Sequence, residues 1–282
     1  LQSFILPAYA KINLALDVLG KRDDGYHEIK TVFQSIALAD WLRFTPSPSK
    51  DIILKVVGGA PLKTEENLVY KAAHLLRRQR GFPGVKITLF KIIPSAAGLG
   101  GGSSDAASTL LGLNYLFNLG FTSYHLMEMG SFLGMDVPFF FLGGTALGSG
   151  RGEKLSLLPH LPPTWLVLIK PSFGIRTAFI YQNLVQEKRK PSLIDEIIYF
   201  LEEGKAKEVW RLGFNALEKT VEKYFGEVSA IKKEASARGA LKTFVTGSGP
   251  TVCAVVENLS AAQKLAREMK NNQRRVIITH TI

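Results

Sequence analysis

Twelve residues constrain this chain more than any other stretch: Pro94, Ser95, Ala96, Ala97, Gly98, Leu99, Gly100, Gly101, Gly102, Ser103, Ser104 and Asp105. The apolar run 85–92 before them reads as a strand. After them Ala106, Leu110, Leu113 and Phe117 recur at helical spacing, which predicts an amphipathic helix. Strand, glycine loop and helix in that order make an anion site. Glycine lets the backbone approach a ligand and take positive φ, successive N–H groups converge on oxygens, and the helix N-terminus adds partial positive charge. Three consecutive glycines lose about 1 kcal/mol each relative to alanine, a cost that a turn serving only to cap a helix does not require. Ser103 and Ser104 offer hydroxyls to phosphate or to a metal ion. The loop is not a Walker A motif, because the closing Lys-Ser/Thr is missing. Nor is it a clean dinucleotide fingerprint, because no acidic residue ends a following strand at the needed spacing.

Charge sharpens the reading. The 282 residues carry 35 Lys and Arg against 24 Asp and Glu, a formal net charge of +11. A basic balance of this kind invites a nucleic-acid or anionic-membrane partner. The excess is small in residues 1–150, with 14 cations against 11 anions, and larger in 151–282, with 21 against 13. Between Lys91 and Arg151 there is no Lys or Arg, so the loop binds its anion with backbone groups. No basic-aromatic stripe supports a nucleic-acid partner. The opening residues lack a basic segment before an apolar run, and no stretch supplies about 20 uninterrupted apolar residues, so a cytoplasmic chain with no membrane span is expected. A single cysteine, Cys253, leaves no internal disulfide to form.

Periodicity predicts an α+β chain. Strands are expected at 8–19 and 27–38 as a hairpin around 20–25, then at 41–45 and 52–57 in a continuing antiparallel sheet. A helix follows from Asn67 to Arg80, then the strand 85–92. Residues 123–133 read as a helix and 139–148 as a strand pair with a glycine turn. The stretch 159–163, rich in proline, is the best linker, and a lobe boundary is expected near 150–163, giving domains 1–155 and 156–282. The second half reads as strand 165–170, helices 193–203, 205–213, 216–224 and 226–238, strands 242–246 and 251–256, helix 259–270 and strand 275–280.

The loop Pro94 to Ser104 resembles the phosphate loop of the GHMP kinases, small-molecule kinases named for galactose, homoserine, mevalonate and phosphomevalonate. Two further segments fall where that family carries its other motifs, Pro7 to Leu14 and Thr246 to Thr251. Gly25-Tyr26-His27, Asp136 to Phe140 and Gly150 to Glu153 direct the likeness towards members that act on a cytidine-diphosphate-linked sugar alcohol; mevalonate-type and homoserine-type members are the alternative, and a basic nucleic-acid-binding protein a more distant one. The resemblance implies two lobes, a ribosomal-protein-like N-terminal lobe that binds ATP and a C-terminal α/β sandwich lobe, with the active site in the cleft. It implies ATP and Mg2+, the latter held mainly by ATP, small-molecule partners alone, and a monomer or weak homodimer.

Phosphoryl transfer needs an acceptor oxygen in line with the γ-phosphate and charge stabilisation on the transferring group. Asp136, an acid in an otherwise apolar segment, matches the family residue that acts on the acceptor hydroxyl. An aspartate of ordinary pKa, about 3.9, is a poor base for an alcohol, so its role is either proton removal or orientation. Lys11, in a strand of alternating Ala, Ile and Leu, is its expected cationic partner. Taken alone, Lys11 reads equally as a solvated strand lysine and Asp136 as a helix-end cap before Pro138. The likeness further implies that Tyr26 and Tyr181 sandwich the cytosine while His27 reads its edge. Without it, Tyr26 and His27 read as hairpin surface. Asn13, on the strand face of Lys11, is expected at the sugar-alcohol hydroxyls, with Thr177, Gly247 and Ser248 also on the substrate. Asn67 is either an adenine contact or only an N-cap. Asp105 adds negative charge near the phosphates, and no cluster of metal ligands is evident in the sequence.

Overall fold

The structure, a computed structural model, describes residues 2–185 and 193–282. The chain packs as two compact units built from interleaved pieces. One comprises 1–10, 38–95 and 100–143, the other 11–37, 96–99 and 144–282. Packing therefore does not divide the chain into contiguous pieces 1–155 and 156–282. The segment 156–282 lies whole in the second unit, and residues 11–37, 96–99 and 144–155 join it.

The chain opens with two long strands, β1 (Phe4–Lys21) and β2 (His27–Ser47), that contribute to both units. The two strands expected at 27–38 and 41–45 are one. Asp40 continues the strand, with its carboxylate buried and taking the backbone N–H of Ile93 at 2.8 Å. In the first unit, β3 (Ile52–Val57) is followed by a 3₁₀ turn (Thr64–Glu66), α1 (Leu68–Gln79) and β4 (Gly84–Phe90). β3 runs parallel to β4 in register Ile52↔Val85 to Val57↔Phe90, and β4 is antiparallel to the end of β2. The antiparallel continuation expected for 52–57 is thus corrected. A helical crossover returns the chain in the same direction, which a tight turn cannot do.

Helices α2 (Gly101–Leu116), α3 (Ser123–Ser131) and α4 (Phe139–Leu142) complete this unit. Its core gathers Leu42 and Phe44 of β2, Ala72 and Leu76 of α1, Ile87 and Leu89 of β4, and Leu110 and Leu113 of α2. Two expectations fail here. α2 is not amphipathic along its first half, since every residue from Ser104 to Leu110 is buried, as befits a stretch of helix covered on all sides. The strand pair expected at 139–148 is a helical turn and one strand. Pro138, with φ −56° and ψ −35°, starts the turn, and the Gly143 N–H closes it on the Phe139 carbonyl. A short run of phenylalanines does not distinguish helix from strand by itself.

The second unit adds β5 (Thr145–Ser149), β6 (Lys154–Leu157), β7 (Trp165–Pro171), α5 (Thr177–Gln182), α6 (Leu193–Glu202), α7 (Ala206–Leu212), β8 (Phe214–Asn215), α8 (Glu218–Tyr224), α9 (Gly226–Ala237), β9 (Lys242–Val245), β10 (Val252–Val255), α10 (Leu259–Met269) and β11 (Arg274–His280). β5 pairs with the first part of β2, Thr31↔Gly148 to Gln34↔Thr145, and β8 lies parallel to β1 at Ala15↔Phe214. A separate antiparallel sheet runs β11-β7-β10-β9. Its core packs Val167, Ile169, Val245 and Val252 of the sheet against Val221, Ile231 and Leu265 of the helices.

Candidate active site

Along β1 the residues from Ala10 to Leu16 are all buried. Side chains alternate along a strand, so Lys11, Asn13 and Ala15 share one face. Lys11 is 3% exposed and Asn13 1%. A polar face so deep requires partners, and a directed chain of bonds supplies them. The Lys11 ammonium donates to Asn13 Oδ1 at 2.8 Å, Asn13 Nδ2 donates to Thr31 Oγ1 at 2.8 Å, and Thr31 Oγ1 donates to the Ala15 carbonyl at 2.6 Å. The ammonium also lies over the Phe33 ring, 5.2 Å from its centroid. Asn13 thereby aims a buried cation rather than merely filling the strand.

The same face is laced to two loops. The Lys11 N–H donates to the Leu99 carbonyl at 3.0 Å, and the Asn13 N–H to Thr246 Oγ1 at 3.1 Å. Gly98 has φ +75°, and Gly247 has φ +55°. A β-carbon at Gly98 would stand 2.2 Å from the Thr246 carbonyl oxygen, and one at Gly247 would stand 3.0 Å from the Gly98 oxygen. The two glycine motifs therefore touch backbone to backbone in the second unit. Asn215, which sequence reasoning missed, shapes the second of them. Its Nδ2 donates to the carbonyls of Val245 and Gly247, both at 2.7 Å, while its Oδ1 accepts from the Leu217 N–H. Ala96, φ +48°, is a rare non-glycine residue in the left-handed region, and Gly174 sits so near that a β-carbon there would meet Ala96 Cβ at 2.7 Å.

Within the first unit, Gly100 caps α2 in the left-handed conformation, φ 71° and ψ 12°, and accepts the Ser104 N–H at 2.9 Å. Helix geometry leaves the N–H groups of Gly101, Gly102 and Ser103 without intrahelical acceptors, which suits phosphate oxygens. The Ser103 hydroxyl, at the partly exposed start of the helix, fits a ligand to a phosphate-bound Mg2+. Ser104 is 1% exposed. Pro94 is half-buried and Ser95 exposed, while Ala97 and Leu99 are buried and anchor the loop. Asn67 is the N-cap of α1, accepting the Val69 N–H on Oδ1 at 2.9 Å. Asp136 is half-buried in the turn that leads into α4, not sealed away as its apolar neighbours suggest.

The chief surprise of the first unit is a buried triad. Lys91 Nζ pairs with Asp40 and, at 2.9 Å, with Asp105, and it lies 3.2 Å from where a β-carbon of Gly101 would be. Asp105 Oδ1 has no hydrogen-bond partner among the described residues. Burial, with Asp40 adding to it, pushes the Asp105 carboxyl up to about 7 against the pull of Lys91. The negative charge that Asp105 brings to the loop is thus met by a cation at the loop's own threshold. Asp40 and Lys91 stand 51 residues apart, so no local pattern discloses them.

The residues expected at the base, Tyr26, His27 and Tyr181, lie in the second unit. The rings of His27 and Tyr181 lie 5.1 Å apart, tilted by 31°. Burial, then the charge of Lys21, lowers the pKa of His27, favouring the neutral ring, which offers one donor and one acceptor. Tyr26 is 51% exposed, and the Arg151 guanidinium lies 5.0 Å from its ring centroid. Thr177 opens α5, a helix that periodicity missed, and stands one turn before Tyr181. Its hydroxyl is 2.8 Å from that of Ser248.

The buried Lys11 and the two interlocked glycine motifs of the second unit, and the glycine-capped α2 of the first, are each features of small-molecule kinases that handle phosphate. The family model for the GHMP kinase N-terminal domain matches residues 67–144, and that for the GHMP kinase C-terminal domain matches 189–275. The chain belongs to the GHMP kinases. It is 46% identical over 282 residues to the 4-diphosphocytidyl-2-C-methyl-D-erythritol kinase of Moorella thermoacetica, covering 98% of each chain, and 45% identical to that of Pelotomaculum thermopropionicum, covering 97% of this chain and 96% of the relative. A crystal structure of 4-(cytidine 5'-diphospho)-2C-methyl-D-erythritol kinase superposes with a TM-score of 0.82 at 33% identity, covering 99% of both chains. A homoserine kinase from Cytophaga hutchinsonii, 18% identical with a TM-score of 0.75, shares the fold. Among the described residues no helix is long and apolar enough to cross a membrane, and no group of three His, Cys, Asp or Glu side chains is gathered as a metal site.

Proposed function

We propose that this chain transfers the γ-phosphoryl group of ATP to the 2-hydroxyl of 4-diphosphocytidyl-2-C-methyl-D-erythritol, giving the 2-phosphate and ADP in the non-mevalonate isoprenoid pathway. The observation that carries the reading is the 46% identity with a kinase so named, over 98% of both chains. The half-exposed Tyr26 and the tilted His27–Tyr181 pair support it over a mevalonate or homoserine substrate, since neither of those has a base to stack or an edge to read.

The roles follow from chemistry. Backbone N–H groups from Gly98 to Ser104 bind the triphosphate oxygens, with Asn67 towards the adenine. The hydroxyl of Ser103 or Ser104 would meet the Mg2+ carried by ATP, which would supply neutralisation of phosphate charge. Lys11, aimed by Asn13, stabilises negative charge on the attacking oxygen, and Asp136 accepts or orients the acceptor hydroxyl. Tyr26 and Tyr181 stack on the cytosine, His27 reads its edge, and Asn13, Thr177, Gly247 and Ser248 bind the acceptor. The enzyme acts as a soluble cytoplasmic monomer or weak homodimer, with its ATP-binding motifs within residues 1–155.

The test is ADP release measured with three acceptors. The reading expects turnover with the cytidine substrate and background with mevalonate and homoserine; preferential turnover of either of those overturns it. Asp136→Ala is expected to abolish phosphorylation while leaving ATP binding nearly intact, and normal turnover in that variant removes Asp136 from the mechanism.

A further inference from the structure

The turn that carries Tyr26 is fixed by a polar network out of proportion to an exposed hairpin tip. The Tyr26 N–H donates to Asp24 Oδ1 at 3.1 Å, and its carbonyl accepts from the Arg22 N–H at 2.8 Å. Arg22 pairs with Asp24 and Glu28. Glu28 reaches across to the 149–153 turn, where its Oε1 accepts the Gly150 N–H at 3.1 Å, and the Ile29 N–H donates to the Gly150 carbonyl at 2.8 Å. That turn is closed on itself by Glu153, which takes the Arg151 N–H at 2.7 Å and lies 3.5 Å from the Arg151 Nε. The network ends at the Arg151 guanidinium, over the Tyr26 ring.

A guanidinium over an aromatic ring is attracted by the ring's negative face. Arg151 is tethered beside the ring by Glu153 and by the paired turns. A ring seated in this way loses less torsional freedom when a base stacks on it, and binding that needs less ordering is tighter. We propose that Arg151 is a positioning residue for base recognition: its guanidinium seats one face of the Tyr26 ring and thereby presents the other face to the cytosine. The proposal rests on the cytidine reading given above, and extends it from the residues that touch the base to one that acts through Tyr26.

The experiment is a double-mutant cycle on the full chain, with Arg151→Met, Tyr26→Ala and the double variant. KM is measured for the cytidine substrate and for ATP, with Arg151→Lys as the conservative variant. Arg151→Met is expected to raise KM for the cytidine substrate about three- to tenfold relative to KM for ATP, in keeping with a cation–ring contact, and Arg151→Lys to restore part of it. In the Tyr26→Ala background Arg151→Met is expected to have no further effect. If Tyr26→Ala raises KM for the cytidine substrate but Arg151→Met does not, the positioning role is overturned while the base reading stands. Full additivity of the two changes overturns it too, making Arg151 an independent contact. If neither change moves that KM, the base reading of Tyr26 falls with the proposal. A thermal melt of each variant separates loss of fold from these outcomes.

Discussion

Gly98 and Thr246 approach so closely that a β-carbon on the first would stand 2.2 Å from the carbonyl oxygen of the second. The phosphate loop and the 246–251 turn are thus spaced by the absence of one methyl group. Gly98→Ala must move one of two backbones and also hold alanine at φ +75°, which alone costs about 1–2 kcal/mol. A loss of about 3 kcal/mol or more is expected, with a marked rise in KM for ATP. Gly204, φ +67° with nothing within 4 Å of its β-position, is the matched control, expected to lose only the conformational part. Equal chemical-denaturation midpoints for the two alanine variants would show that the contact carries no weight.

Asn13→Ala removes at once the acceptor of the Lys11 ammonium and the donor to Thr31. Leaving such buried groups short of a partner costs about 1–3 kcal/mol. The backbone bond from Asn13 to Thr246 Oγ1 survives, so the fold is expected to persist while kcat falls at least tenfold. A variant with unchanged kcat would mean that Lys11 needs no aiming by Asn13.

Asp105 gives a pH signature. Burial pushes its folded carboxyl up to about 7, above the ordinary value of 3.8 for the unfolded chain. Between those values the folded chain holds a proton that the unfolded chain has released, so this group's stabilisation is full below about 4 and is lost as pH rises to about 7. Asp105→Asn cannot titrate, and its melting temperature is expected to fall less steeply than that of the parent over this range. Parallel curves for the two proteins would place the Asp105 pKa near its ordinary value.

Cys253 is wholly buried in β10, paired in register with Leu168 and Phe244, and burial pushes its thiol far up. Thiolate is the reactive species. An aromatic disulfide reagent is therefore expected to leave the native protein untouched and to label one thiol per chain in denaturant. Rapid labelling without denaturant would show that the β7-β10-β9 sheet opens readily.

Local pattern encodes part of what the fold brings together. Lys11 and Asn13 stand out as polar residues at alternate positions of an apolar strand, and both are buried. The glycine loop was legible because its residue types have few other uses. What escaped depends on distant partners. Asp40 and Lys91 look like ordinary surface charges until the fold joins them to Asp105, and Asn215 reads as a loop residue until Val245 and Gly247 supply its acceptors. The phenylalanines from Phe139 to Phe141 mislead because an apolar helical turn and an apolar strand share one composition, and the backbone angles of Pro138 start a turn.

Interleaving of the two units has a consequence for how such a chain can be divided. The second unit draws on residues 11–37, where Val32, Phe33 and Ile36 are buried and β2 pairs with β5. A cut in the proline-rich stretch 159–163 would therefore strip that unit of a strand and its core residues, although the site is the softest on the sequence. A division that keeps the second unit intact has to leave it residues 11–37 as well, so a single cut in the chain cannot make it.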